Sequence, residues 1–207
     1  MPTGVPIHDI QGQLFDAATD VLRREGPHAL TSRAVTARAG VAKGILHRHF
    51  ADFDTFLASL ALARIEAVEA RSKALRLSAG SETVVDHLTG TLTAALDADT
   101  LAIVNLVTSR GELRDRLRLT TPAGIPLLNE ITRMIAAYLT AERGLGRIAI
   151  DADVDTIALI LVGGAHLVLA APDVTTPSDD EIRRLVTTAI AGIQPRADSA
   201  EVKSPRR

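Results

Sequence analysis

The sequence predicts an all-α protein. Apolar residues recur at spacings of three and four along almost the whole chain, no stretch alternates with period two between turn signals, and capping residues, glycine and proline punctuate the pattern at helical lengths. With 207 residues, 46% of them hydrophobic and 23% charged, the chain can bury a core without covalent staples.

The first helix carries the stripe Ile10, Leu14, Ala18, Val21 and Leu22, and Gly26 with Pro27 stops it. Thr31 then suits the N-cap of a short second helix whose Val35 and Ala39 face inward, closed by Gly40 after about nine residues. Residues 42–50 form a third segment with Ile45, Leu46 and Phe50 for packing. Asp52 follows as the N-cap of a long fourth helix bearing Phe53, Phe56, Leu57, Leu60 and Ile65. All four phenylalanines, 15, 50, 53 and 56, thereby serve one small N-terminal core. Beyond residue 75 the helices turn aliphatic and are expected near 82–96, 99–109, 122–143, 154–171 and 179–193. Asp153 is positioned to cap the fourth of these. Ser178 with Glu181 forms a capping box for the last, where Asp179 and Asp180 add favourable charge. Residues 110–121 mix Gly111 with alternating charge ahead of Pro122 and read as a connector or a fraying helix end. The stretch 195–207 has too little apolar surface to order and reads as a disordered tail.

Composition removes several function classes. The chain has no cysteine, so thiol catalysis, Cys-ligated zinc and iron–sulfur clusters are excluded. The start lacks a basic segment followed by an apolar one, and the longest apolar run, 157–172, is short of a membrane span and contains His166; a soluble cytoplasmic protein with no membrane partner is expected. His47 and His49 stand two apart and diverge on a helix, no H-E-x-x-H occurs, and Gly40 to Gly44 lacks the phosphate-loop spacing. No G-x-S-x-G elbow is present, and Gly144 with Gly146 reads as a helix terminus. The sequence therefore offers no catalytic residue, no metal site and no cofactor, and an enzyme is not expected.

Charge, in contrast, is informative. The formal net charge is −2, but residues 1–50 hold six Lys/Arg against four Asp/Glu. Within 31–50, Arg33, Arg38, Lys43 and Arg48 stand with no acid and with His47 and His49 beside them. Local basicity in a mildly acidic chain points to an anionic partner at one place, the alternative being a solvated helical face. Two short helices joined by a turn containing Gly40, with a longer helix before them, form a helix-turn-helix pattern. The second of the pair, AKGILHRHF, exposes Lys43, His47 and Arg48 while burying Leu46 and Phe50, as a helix entering a major groove should. Gly44 removes a side chain where such a helix approaches DNA, at about 1 kcal/mol of helix propensity.

The run LFDAATDVLRREGPHALTSRAVTARAGVAKGILHRHFADFDTFLASL resembles the N-terminal DNA-binding domain of the TetR family of bacterial transcriptional regulators, over roughly residues 10–60. Its most specific portion, RAGVAKGILHRHF, is similar to the family's usual A-G-V-S-K-G-T-L-Y-x-H-F. The resemblance implies that Thr31 and Lys43 meet backbone phosphates, that His47 takes the place of a phosphate-binding tyrosine, that His49 matches the family's histidine, and that Arg33 with the start of the third helix reads bases. Ser32, Ala42, Gly44, Ile45 and Arg48 complete the expected DNA-binding set. Ala42 stands where the family usually has a capping serine and Ile45 where it often has threonine. Ile45 either packs or touches a thymine methyl. Asp52, Phe53 and Asp54 follow Phe50, where the family often carries a lysine.

The resemblance further implies a helix-turn-helix domain over residues 1–60, an effector-binding and dimerisation domain over 61–194, and a homodimer that binds a palindromic double-stranded DNA operator and usually represses. The last two long helices are expected to form the dimer interface through Gly163, Gly164, Leu167, Ile182, Leu185 and Ile190. The two mid-helix glycines, each costing about 1 kcal/mol against alanine, point to close approach of another helix, the alternative being a kink that lines a pocket. A small apolar or amphipathic effector is expected among the later helices, with His87, Asn105, Tyr138 and His166 as candidate polar contacts and Met134 as an adaptable wall. His166, set in ILVGGAHLVLA, is equally open to a buried or interface role. The competing class is a helical small-molecule or protein-binding module without DNA binding.

Overall fold

The computed structural model describes residues 9–121, 124–170 and 179–193, and these are helical throughout, with no strand among them. The helices are α1 (Ile10–Glu25), α2 (Ser32–Arg38), α3 (Gly44–His49), α4 (Phe53–Leu77), α5 (Val84–Ala95), α6 (Ala98–Ser109), α7 (Gly111–Leu117), α8 (Leu128–Gly144), α9 (Val154–Leu169) and α10 (Asp179–Ala191). Ser178 of the capping box expected at α10, and the tail expected over 195–207, lie outside the described residues.

Side chains set most of the boundaries. Carboxylates cap α1, α4, α6 and α9: Asp9 accepts the Gly12 amide, Asp52 that of Thr55, Asp97 that of Thr100 and Asp153 that of Thr156. Each meets an otherwise orphaned N–H at the positive end of its helix. Thr31 does the same for α2, its Oγ1 accepting from Ala34 N at 3.1 Å. Gly26 ends α1 at φ +79°, and Gly40 makes the turn between α2 and α3 at φ +67°, a conformation that L side chains resist by about 1–2 kcal/mol.

Two expected elements differ. Residues 110–121 contain α7, because Leu113 and Leu117, four apart, are buried against α4 and α6. The alternating charges occupy the remaining face. The helix expected from 122 begins only at Leu128, since Leu127 adopts φ +72° and its amide donates to Glu130 at 2.6 Å, an arrangement that starts α8 there.

α1, α2, α3 and the first half of α4 enclose Leu14, Ala18, Val21, Leu30, Val35, Leu46 and Phe56, each at most 1% exposed. The four phenylalanines meet as expected: Phe56 lies 5.1 Å from Phe50, 5.6 Å from Phe15 and 5.7 Å from Phe53, centroid to centroid. The same apolar core continues along α4, which packs on α8; α8 packs on α9, and α10 covers α5 and α9. Among the described residues no single helix is long and apolar enough to cross a membrane. Only α5 with α6 passes on length and composition, as a pair bent by 59°.

Candidate nucleic-acid interface

The third helix is short, and its burial pattern decides what it can present. Leu46 is fully buried and Phe50 is 7% exposed, which pins α3 against α1 and α4 through one stripe. The opposite face is thereby turned to solvent, and Ala42, Lys43, Gly44, His47, Arg48 and His49 are all exposed. Ile45 is half-buried and packs against the core, the first of the two roles left open for it. Lys43 occupies the N-cap position of α3 with no side-chain cap, so the absence of serine at 42 leaves that end uncapped. Gly44 has nothing within 4 Å of where a Cβ would sit; the space in front of it is open.

From α2, Thr31 and Arg33 are exposed, whereas Ser32 is half-buried with an Oγ that has no hydrogen-bond partner. Arg33, Lys43 and Arg48 form no ion pair among the described residues, while most arginines elsewhere do. Arg38 is different. It pairs with Asp20 and, at 3.0 Å, with Glu25, and so ties α2 to α1. The acid-free sequence window 31–50 is therefore partly neutralised in three dimensions by carboxylates from α1. Asp20 receives Arg24, Arg23 and Arg38 together, and the Arg24 bond above all holds its carboxyl down at about 2. Asp52, where a lysine is frequent in similar sequences, is consumed locally. It caps α4, lies 3.6 Å from Arg116, and is held below the usual carboxylate range chiefly by its bonds to Thr55.

Arg116 belongs to a pair of residues that sequence reasoning passed over. From the start of α7, Arg110 donates to the carbonyls of Leu30, at 3.1 Å, and Pro27, at 3.4 Å; Arg116 donates to Thr55 Oγ1 at 2.8 Å. These side chains fasten the later helices to the α1–α2 loop and to the start of α4. Arg23 of α1 adds a contact of 3.8 Å to Asp99 of α6. The signal in the sequence was the pair Arg110 and Arg116 within the alternating charges of 110–118, whose acceptors lie far back in the chain.

The five residues expected around an effector separate into three places. Asn105 and His166 line one cavity between α1, α6 and α9; Met134 lines an apolar groove between α4, α5 and α8. Tyr138 is fully buried with its hydroxyl 3.0 Å from His87 Nδ1, the two rings edge to face. Burial and the Glu142 carboxylate keep that phenol protonated far above its ordinary range. Tyr138 is thus committed to the core and cannot serve as an exposed aromatic platform. The six residues expected at a dimer interface separate as well. Ile182 and Ile190 are 1% exposed inside the protomer and are unavailable to a second chain. At Gly164 a Cβ would meet Leu185 of the same chain at 2.9 Å, so this glycine admits α10. Gly163, by contrast, faces open space beside Leu159, Ile160 and Leu167, which are 63%, 50% and 76% exposed.

Residues 14–59 match the family model described as bacterial regulatory proteins, tetR family. No curated protein matches the sequence significantly. Among solved structures, the chain superposes on a transcriptional regulator from Rhodococcus sp. Rha1 with TM-score 0.65 and 19% identity, covering 89% of this chain and 97% of that one. The regulator FadR from Bacillus subtilis, solved in complex with stearoyl-CoA, gives TM-score 0.66 and 18% identity over 88% and 99% of the two chains. A regulator from Saccharomonospora viridis in complex with choline gives 0.65 and 18% over 90% and 98%. At these identities the likeness concerns the fold. The segment that builds the exposed α3 face, residues 14–59, is thus what is similar to the tetR family of bacterial regulatory proteins, and the chain as a whole shares the fold of these transcriptional regulators.

Proposed function

We propose that the protein is a ligand-responsive repressor, acting in the cytoplasm as a homodimer that binds a palindromic double-stranded DNA operator and releases it when a small apolar or amphipathic effector binds. The observation that carries this reading is the solvent face of α3, where Lys43 and Arg48 with His47 and His49 stand exposed, free of ion pairs, on a helix anchored by Leu46 and Phe50. Together with Thr31 and Arg33 they offer cations and donors for phosphates, and Ala42 and Gly44 a low surface that can approach base edges. We assign the DNA-binding role to residues 1–60 and effector binding with dimerisation to 61–194, the two joined by the continuous helix α4.

The dimer reading rests on the exposed stripe Leu159, Ile160, Gly163 and Leu167 of α9, with Leu185 of α10 behind it. A contiguous exposed apolar face is the mark of an interaction site, in contrast to single exposed residues such as Leu77 or Ile150. A symmetric pair would then present two copies of α3 about one helical turn apart, ~34–36 Å. The stearoyl-CoA and choline complexes of the two structural neighbours support an effector-binding role for this fold. The test is selection of bound sequences from random duplex DNA, repeated in the presence of candidate small molecules. Enrichment of a palindrome that the protein releases with one compound supports the reading; a folded protein that enriches no duplex contradicts it.

A further inference from the structure

The cavity between α1, α6 and α9 encloses about 540 Å³, within the range of small-molecule sites. Its walls are Leu22, Leu101, Val104, Ile125 and Leu169, with alanines at 98, 102 and 170. Three polar groups interrupt this lining without being used up by the protein. The amide of Asn105 has no hydrogen-bond partner among the described residues. Thr108 Oγ1 donates to the carbonyls of its own helix and keeps a free lone pair. His166 lines the cavity with its Nδ1 buried and without a partner, and desolvation lowers the imidazole's affinity for a proton, favouring the neutral ring. The one charged side chain in the wall, Arg23, is already faced by Asp20 at 3.1 Å and Asp99 at 3.8 Å. Arg23 is thus offset by carboxylates that stand outside the lining, so an anion finds no uncommitted cation here and a cation meets Arg23, whereas a carbonyl or hydroxyl can use Asn105, His166 and Thr108 at no cost in unpaired charge.

We propose that this inter-helix cavity is a binding site for an uncharged amphipathic molecule, an apolar chain or ring bearing a single carbonyl or hydroxyl, held by Asn105 and His166. It rests on the effector reading given above and places the effector against the DNA-binding segment itself. α1 contributes Leu22 and Arg23 to the wall, and the end of α6 leads directly to Arg110, whose guanidinium holds the α1–α2 loop. An occupant that separates α1 from α6 therefore changes how the α1–α3 unit is held, to the extent that it prefers that arrangement. The apolar groove between α4, α5 and α8, lined by Leu75, Gly90 and Met134, is the competing location.

The experiment uses the full chain and three probes of equal chain length, 2-octanone, octanoate and octylammonium, with binding followed by ligand-observed NMR titration. 2-Octanone is expected to bind one site per protomer, at least tenfold more tightly than either ion. Ala102→Phe, which fills the cavity, and Asn105→Leu, an exposed position that leaves packing intact, are each expected to weaken it at least fivefold; Gly90→Leu, which fills the competing groove, should leave it unchanged. The proposal is overturned if the ketone does not bind at millimolar concentration, if either ion binds as tightly, if both cavity variants retain full affinity, or if only Gly90→Leu abolishes binding. Operator affinity is measured in parallel. Ketone binding that obeys these variants but never alters operator affinity would refute the effector reading while leaving the site in place.

Discussion

Leu167 is 76% exposed in the middle of the apolar stripe on α9, and its replacement by alanine is the sharpest probe of the proposed dimer. Burying a whole leucine side chain is worth about 1.5–3 kcal/mol, so covering the part of Leu167 still open to water contributes about 1–2 kcal/mol in each protomer. A two-fold interface uses the residue twice, giving about 2–4 kcal/mol for the pair, or a dimer dissociation constant raised about 30- to 1,000-fold. Gly163→Leu should act in the same direction through bulk, because nothing within 4 Å of its Cβ position opposes the new side chain inside the protomer. Gly164→Leu is a different experiment. It drives a Cβ to 2.9 Å from Leu185 and disturbs the α9–α10 pair before any partner is considered. The assay is sedimentation velocity over a concentration series, with circular dichroism to show that helix content is retained. An unchanged dimer in both Leu167→Ala and Gly163→Leu, with the fold intact, refutes the reasoning and removes α9 from the interface.

Phe56→Ala should cost about 3–5 kcal/mol in unfolding free energy, since a fully buried ring in contact with three others leaves a cavity, and chemical denaturation measures it. Arg110→Ala should remove about 1–3 kcal/mol of local restraint on the α1–α2 loop, read as faster amide exchange over residues 27–31 with exchange in α8 unchanged; equal acceleration in both places would contradict a local role. Asp20, depressed from 3.8 to about 2 by its arginines, contributes stability that is present above pH 4 and lost as pH falls from about 4 to about 2. Asp20→Asn should therefore flatten the acid limb of the stability profile in that window, and an acid limb identical to wild type would show that the cluster does not couple to folding.

Much of this protein was legible in its sequence because local chemistry set it. The caps at Thr31, Asp52 and Asp153, the stops at Gly26 and Gly40, and the shared phenylalanine core all follow from residues acting within a few positions of one another. The exposed face of α3 was legible for the same reason, as Leu46 and Phe50 fix which side must turn outward. What escaped depends on long-range partners. α7 was hidden by its charges because its two leucines find their burial against helices far away in sequence, and Arg110 and Arg116 find acceptors roughly 60 to 80 residues back. Arg38 reads as a free cation until α1 brings Asp20 and Glu25 to it. Among the later helices a list of polar residues could not be sorted into core and cavity. Tyr138 went to the core with the half-buried His87 against its hydroxyl, and Asn105 with His166 to a cavity, a division that is decided by helix packing and not by residue type.

The central claim is that α3 binds duplex DNA, and the most direct test is the salt dependence of binding to a selected operator by fluorescence anisotropy, for wild type, Lys43→Ala and Arg33→Ala. Neutralising one phosphate contact lowers the slope of log affinity against log salt by about one, so Lys43→Ala should bind every duplex more weakly with that smaller slope. Arg33→Ala should instead narrow the gap between the selected operator and scrambled DNA. Affinity, slope and sequence preference unchanged from wild type in both variants would contradict the account.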